Sequence, residues 1–440
     1  MSTIVIGGGW SGLAAAVTLA ANDIPVTLIE SAKQLGGRAR CAPFGDDTVD
    51  NGQHILIGAY RQTLSLLELI GVDVDTALQR QSLSLDLRSP KGNNLHLKTP
   101  ELPAPLHLLF GLMTAQGLSL QERALALKFC THLAFTRFRL DEDVSLHALL
   151  IRHRQNGRLT KMLWEPLCLA TLNTPITKAS AQLFLKVLHD TFNYQRQHSD
   201  LIIPKISLGK LFPEPAMEFI ESRGGLVMLK TRAIGLRVDN GRISGVHTEG
   251  ETIPCNHLIL ATSPLGTKRL LDDLPPMASI CHRLAQFEYE PITTIYLRYP
   301  KTVKLSSPMI GLVDTHSQWL FDRSFAGQPG LIAVIISASS ELITQGKDAI
   351  IKTVVAEIAA LYPDWPAPLD VQLITEKRAT FVSSVNIDKT RPVNKTLLPG
   401  CWLAGDFTDT GYPATLEGAV ISGQRAAQGV RQEILRGLRE

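Results

Sequence analysis

Thr3 to Ile6 is a short β-branched run that stops abruptly at Gly7. The alanine- and leucine-rich stretch from Trp10 to Ala21 then reads as a buried helix, and Pro25-Val26-Thr27-Leu28-Ile29 as a second strand ending at Glu30. Strand, helix and strand within about 30 residues make a βαβ unit. Residues 60–71 place Tyr60, Leu64, Leu67 and Ile70 at helical spacing and end at Gly71. Residues 76–200 are leucine-rich and predict mostly helix, interrupted by Leu172-Asn173-Thr174-Pro175. From Gly224 to Ala261 the period changes: Val227–Leu229, Ile234–Val238, Ile243–His247 and His257–Ala261 read as successive strands. Asp239-Asn240-Gly241-Arg242 between two of them is a hairpin signal. Residues 290–340 again read as strands and 347–361 as a helix. Residues 401–405 read as a strand meeting a final helix from about Thr415. Segments of α/β character thus stand at the start, middle and end of the chain, with other material between them.

Composition narrows this picture. A chain of 440 residues suggests two or three domains. With 45% hydrophobic and 19% charged residues it has the opposite balance to a disordered chain. The net charge of +3 leaves no electrostatic footprint for nucleic acid. A mean hydropathy of +0.08 fits a greasy ligand, a membrane surface or simply a large core. The six cysteines are far apart and form no C-x-x-C pair, which argues against a disulfide framework or a zinc site and fits a reducing cytosol. The first 22 residues carry no charge but also no basic start or cleavage signal, and their glycines sit in one motif. The uncharged run Leu102–Gln121 is long enough to span a bilayer, yet Pro103, Pro105, Gly111, Gly117, His107 and Gln116 make it a poor transmembrane helix. No spanning segment and no metal are expected.

Gly7-Gly8-Gly9-Trp10-Ser11-Gly12 is a G-x-G-x-x-G placed between a strand and a helix. Gly7 permits the tight turn, Gly9 lets the backbone approach a pyrophosphate, and Gly12 allows close helix–strand packing, with the helix N-terminus facing the anion. Glu30 ends the second strand, where a carboxylate accepts hydrogen bonds from a ribose diol. Leu403-Ala404-Gly405-Asp406 is a strand ending in Gly-Asp, suited to placing a carboxylate near ribityl or phosphate groups. The helix after it, at Thr415-Leu416, can aim N–H groups at a ring carbonyl. No second G-x-G-x-x-G precedes a helix, so electrons must come from the substrate or from a separate reductant.

Together with Leu35-Gly36-Gly37-Arg38, Asp50-Asn51-Gly52-Gln53-His54 and Glu417-Gly418-Ala419, these motifs resemble the flavin-containing amine oxidase and phytoene desaturase superfamily. The resemblance implies an α/β fold in which a Rossmann-like FAD-binding domain (1–75, 205–265 and 380–440) is interleaved with an α+β substrate domain (76–204 and 266–379). FAD would be held by Gly7, Gly9, Trp10, Ser11, Gly12, Glu30, Gly37, Arg38, Gly405 and Asp406, with Arg38 neutralising phosphate charge. Gly52, Gln53 and His54 would lie beside the isoalloxazine, Thr415 and Leu416 at its ring carbonyl, and the backbone near Ala233 against the adenine. Amine oxidases of the superfamily set an aromatic residue where Thr415 stands, so half of their aromatic cage is missing. No cysteine occurs in this stretch to bind flavin covalently.

Finer features are similar to one branch, the squalene-associated FAD-dependent desaturases now described as hydroxysqualene dehydroxylases. They are Asp50 to Tyr60, Pro103-Ala104-Pro105-Leu106-His107, Trp164 to Pro175 and Asp406-Phe407-Thr408-Asp409-Thr410-Gly411. The implied reaction is reductive removal of the hydroxyl of hydroxysqualene, a long isoprenoid, on the route to hopanoids. It needs an apolar tunnel, an acid and exclusion of water. His54 is the candidate acid, with Asp50 either orienting it or capping the turn. Asp406 and Glu417 would hold cofactor and helix, Asn173 and Thr174 would line the substrate site, and the remaining histidines show no pairing. An insoluble substrate implies a cytoplasmic protein peripheral on the inner face of the cell membrane. Competing readings are a carotenoid-type desaturase running electrons the other way, an amine oxidase, and a non-enzymatic flavoprotein.

Overall fold

A computed structural model describes residues 2–192 and 194–437. Strand β1 (Thr3–Ile6), helix α1 (Trp10–Ala20) and strand β2 (Val26–Ile29) form the N-terminal βαβ unit, with every residue of β1 buried. A parallel sheet grows outward from β1 and β2. Its order is Leu226–Met228, β2, β1, His257–Leu260, Cys401–Leu403, with Val5 opposite both Leu28 and Ile259. A fully parallel sheet needs cover on both faces. On one face α1 packs against the helices Pro213–Ser222 and Leu416–Gly437. The last of these presses closely: a Cβ on Gly423 would come within 2.1 Å of the Ser11 carbonyl. A small antiparallel sheet, Ala233–Asp239, Arg242–Thr248 and Thr252–Pro254, stands beside it. Its first turn uses Asn240 and Gly241, both at positive φ, as the hairpin signal predicts.

The other half of the molecule is built on a seven-stranded sheet. Its order is Asp370–Phe381, Tyr289–Arg298, Leu331–Ile336, Trp319–Asp322, Met309–Leu312, Ser84–Arg88, Leu95–Lys98. The helix Lys347–Leu361 buries Ile350, Val354 and Ile358 with one of its faces in an apolar cluster. Facing the opposite side, the helices within 106–192 enclose a second apolar cluster around Phe129, Trp164 and Phe184.

Helix predominates over 76–200 as expected, but three strands interrupt it. Leu78–Gln81 pairs with Leu201–Pro204, while Ser84–Arg88 and Leu95–Lys98 complete the seven-stranded sheet. Ser-Leu-Asp-Leu-Arg and Leu-His-Leu-Lys alternate strictly, with Leu85, Leu87, Leu95 and Leu97 buried. That period of two is a strand signal, and the high leucine content masked it.

Candidate functional site

A cavity of about 1040 Å3 runs between the two halves, from the glycine turn after β1 to apolar side chains such as Leu85, Met309, Trp319 and Phe321. The glycines of the turn are not equivalent. Gly7 has φ +112°, and a Cβ there would sit 2.5 Å from the Ala261 carbonyl. A Cβ on Gly12 would fall 1.9 Å from the Gly7 carbonyl, so Gly12 seats the helix on the strand and lies behind the cavity wall. A Cβ on Gly9 would meet nothing nearer than the Gly37 Cα at 3.9 Å. The open space over Gly9 belongs to the cavity.

Glu30 is fixed by two backbone donors: its Oε2 accepts from Gly8 N–H and its Oε1 from Ala32 N–H, both at 2.7 Å. Ser11, in the first turn of α1, has a buried hydroxyl with no partner. A bare glycine cradle, an unsatisfied hydroxyl at a helix N-terminus and a carboxylate ending β2 fit the diphosphate and ribose of a dinucleotide. Gly37 faces Gly9 across the turn, and Ala233 lines the same end of the cavity. Among the described residues no cysteine lines the cavity.

Arg38 Nη2 lies 2.7 Å from Asp406 Oδ1, and its Nη1 donates to the Ala379 carbonyl. Both residues line the cavity, so the cation expected to meet phosphate is shared with a carboxylate. Gly405, at φ +156°, admits the close Phe407 ring. Thr415 Oγ1 accepts from Gly418 N–H in the first turn of the C-terminal helix, and Leu416 lines the cavity beside it. Glu417 turns away: its carboxylate accepts from Gln62 N–H, Thr63 N–H and the Thr63 hydroxyl, capping the helix Arg61–Leu69.

Gly52, Gln53 and His54 line the cavity. His54 Nδ1 donates to the Gly52 carbonyl at 2.7 Å, which leaves Nε2 to the cavity as the lone-pair nitrogen of a neutral ring. Burial lowers the pKa of His54 more than the Gly52 carbonyl and the nearby Asp50 charge raise it. Burial therefore favours the neutral ring. Of the two roles open to Asp50, its contacts fit the one that holds the loop. Its Oδ1 accepts from Leu208 N–H, its carbonyl accepts from the Tyr296 hydroxyl, and it lies outside the cavity wall. It fastens the loop and makes no hydrogen bond to His54.

Asn173, in the left-handed region at φ 46°, lines the cavity and bonds Thr380 Oγ1 and Ala338 N–H. Thr174 does not line it; its hydroxyl is spent on the Leu172 carbonyl and Ser383 N–H. Two histidines expected to be unpaired have partners. His107 bonds Ser199 at 3.1 Å and His189 Nδ1 lies 3.0 Å from Asp190. Sequence reasoning also missed Arg323, 2% exposed, which donates to Gln53 Oε1 at 2.6 Å and holds that side chain at the cavity wall. Lys186 and Asp190, four apart on one helix, carried a pairing signal that could have been read.

Against known proteins, residues 10–431 match the family described as flavin containing amine oxidoreductase. Hydroxysqualene dehydroxylase of Zymomonas mobilis is 25% identical, over 97% of this chain and 98% of its own. The protein of that name from Rhodopseudomonas palustris is 27% identical, over 96% of each chain. A 15-cis-phytoene desaturase of Glycine max is 22% identical, over 98% of this chain and 80% of its own. Among solved structures, an oxidoreductase from Methanosarcina mazei superposes with a TM-score of 0.77 at 15% identity, covering 97% of this chain and 100% of its own. Cyclohexylamine oxidase from Brevibacterium oxydans gives 0.72 at 16% identity, over 98% and 99%. These superpositions show an amine-oxidase-type fold.

Proposed function

The chain belongs to the flavin-containing amine oxidoreductase family, and from that premise we propose that it reductively removes the hydroxyl of hydroxysqualene to give squalene. It is an FAD-dependent oxidoreductase. What supports this reaction over others of the family is one observation: three relatives bearing that name match 96–97% of the chain at 25–27% identity. Phytoene desaturase relatives at 22–23% identity support a second reading, desaturation of a carotenoid-type polyene.

Bound FAD, reduced by a separate donor, supplies the hydride that replaces the hydroxyl. Gly7, Gly9, Trp10, Ser11, Gly37, Glu30, Arg38 and Asp406 would hold the dinucleotide. Gly12 keeps α1 seated behind the cradle, Ala233 would lie toward the adenine, and Gly52, Gln53, Gly405, Thr415 and Leu416 would line the space for the ring. An alcohol leaves readily only as water, so its oxygen must first gain a proton. His54 is the candidate: with Nδ1 fixed on Gly52, a protonated ring points its remaining N–H from Nε2 into the cavity. The proton moves to the substrate oxygen, and the C–O bond breaks with both electrons leaving in water. Apolar walls at Leu85, Trp319 and Phe321 keep other water from the resulting allylic cation.

The substrate must be gathered from a lipid phase. Leu106, Phe110 and Met113, at successive turns of the helix Leu106–Thr114, are 44–48% exposed, and nearby Leu120 is 81% exposed. Among the described residues no helix is long and apolar enough to cross a membrane. This exposed face supports peripheral attachment to the inner face of the cell membrane.

The test is anaerobic. FAD-loaded protein, chemically reduced, is mixed with hydroxysqualene. Squalene formed together with oxidised flavin is the expected result. Product from phytoene with oxidised FAD, and none from hydroxysqualene, would transfer the assignment to the second reading.

A further inference from the structure

One wall of the cavity carries a polar constellation that no role above uses. Tyr412, just before the C-terminal helix, donates its hydroxyl proton to Asp190 Oδ2 at 2.5 Å. Asp190 lies near the end of the helix Ala181–Phe192 and is 8% exposed. Lys186, one turn earlier, reaches both oxygens of that carboxylate at 2.8 and 2.6 Å, and His189 Nδ1 lies 3.0 Å from Oδ1. Burial works to raise the Asp190 carboxyl, but the hydrogen bonds from Lys186, Tyr412 and His189 outweigh it and hold the group below its ordinary value. Asp190 is therefore ionised, and it accepts.

That fixes the direction of the Tyr412 hydrogen bond. Its single proton is committed to Asp190, so its oxygen is left with lone pairs only. Among the described residues no donor reaches that oxygen. Tyr412 and Asp190 both line the cavity, together with the apolar Phe184, Val187 and Leu188 of the same helix and with Thr191 and Tyr60 as polar neighbours in the lining. Tyr412 thus presents to the cavity an oxygen whose hydrogen bonding a ligand's donor would complete.

We propose that Tyr412, positioned by Asp190, anchors the hydroxyl group of the substrate by accepting its proton in a hydrogen bond. This rests on the dehydroxylation reading and adds to it a reason for choosing an alcohol. The alcohol gives its hydrogen to Tyr412 Oη and keeps its own lone pairs free for the proton that makes it leave. The hydrocarbon product has nothing to give and is released. A polyene without oxygen gains nothing from the site.

The experiment uses the full chain with oxidised FAD bound and three saturated, branched isoprenoid ligands of one length that cannot turn over: an alcohol, the corresponding ketone and the hydrocarbon. Dissociation constants are read from flavin fluorescence. The alcohol should bind about tenfold or more tighter than the hydrocarbon. The ketone, an acceptor only, should bind like the hydrocarbon. Tyr412→Phe should lower the alcohol to the level of the hydrocarbon while leaving the hydrocarbon unchanged. Asp190→Ala frees the Tyr412 proton and should raise ketone affinity about tenfold, a gain that a merely structural role would not produce; Asp190→Asn, whose amide oxygen still accepts, should not. A wild-type protein that binds ketone as tightly as alcohol overturns the proposal even if no variant folds, and so does a Tyr412→Phe protein that keeps the alcohol preference. Turnover of hydroxysqualene by the reduced protein is measured separately. Turnover without alcohol preference removes the anchor and keeps the reaction; preference without turnover removes the reaction and keeps the anchor.

Discussion

Replacing Gly9 and Gly12 by alanine, one at a time, separates the two jobs that the N-terminal glycines perform. At Gly12 the new methyl would stand 1.9 Å from the Gly7 carbonyl, where real contacts stay above 3.0 Å, so about 1 Å must open between α1 and β1. The methyl would grow from the packed helix α1 against a backbone carbonyl of the turn that ends β1, and overpacking of this kind costs about 1–3 kcal/mol. At Gly9 the backbone is extended, with φ −76° and ψ 175°, a conformation alanine adopts without strain, and the nearest atom is 3.9 Å away. Gly9→Ala should leave the FAD-free protein as stable as before, or more stable by about 0.4–1 kcal/mol, because alanine has less freedom to lose on folding. Its methyl occupies the space where a diphosphate comes closest to the chain, so FAD affinity should fall about tenfold or more, equivalent to about 1.4 kcal/mol. The assay is denaturant unfolding of the FAD-free variants beside FAD titration of each. A Gly9→Ala protein that unfolds as early as Gly12→Ala, or that binds FAD as tightly as wild type, would refute the reasoning.

Four further outcomes are expected. His54→Gln should retain FAD and lose about 10²–10⁴-fold in flavin reoxidation by hydroxysqualene. Because burial lowers the His54 pKa, the charged ring is lost as pH rises, and the wild-type rate should fall with a midpoint below the ordinary 6.5; a flat profile across the histidine range would remove the role. Acid or heat should release yellow FAD into the supernatant, since no cysteine among the described residues lines the cavity, and flavin left on the precipitate would contradict this. Phe110→Asp should weaken sedimentation with phospholipid vesicles without changing FAD content, and unchanged sedimentation would remove the helix Leu106–Thr114 from the membrane contact.

What could be read from the sequence was local in character. The glycine turn, Glu30 and the Asn240-Gly241 hairpin declare themselves because steric permission and strand periodicity act over a few residues. Strands 84–88 and 95–98 were hidden because leucine serves helices and strands alike, and only the alternation around Leu85 and Leu95 distinguishes them. The polar partnerships were hidden for another reason. Arg323 and Gln53 are 270 positions apart and Tyr412 and Asp190 are 222 apart, so nothing in the neighbourhood of either residue announces the other. The same limit explains Asp50. Its motif places it near the cavity, but the Leu208 N–H that draws its carboxylate away comes from a distant segment.

The closeness of Gly423 to Ser11 also has a consequence for how the protein is made. Helix α1 leaves the ribosome several hundred residues before the strand Cys401–Leu403 that completes its sheet and the helix that covers it. At cellular translation speeds that interval is on the order of tens of seconds. During it the apolar flank of α1 has no final partner, and contacts between such distant segments are slow to form because the loop between them must first be closed. Nascent chains of this protein should therefore depend on holding chaperones until those segments have emerged. The supply of cofactor then matters at the moment of release, when the cradle first becomes complete.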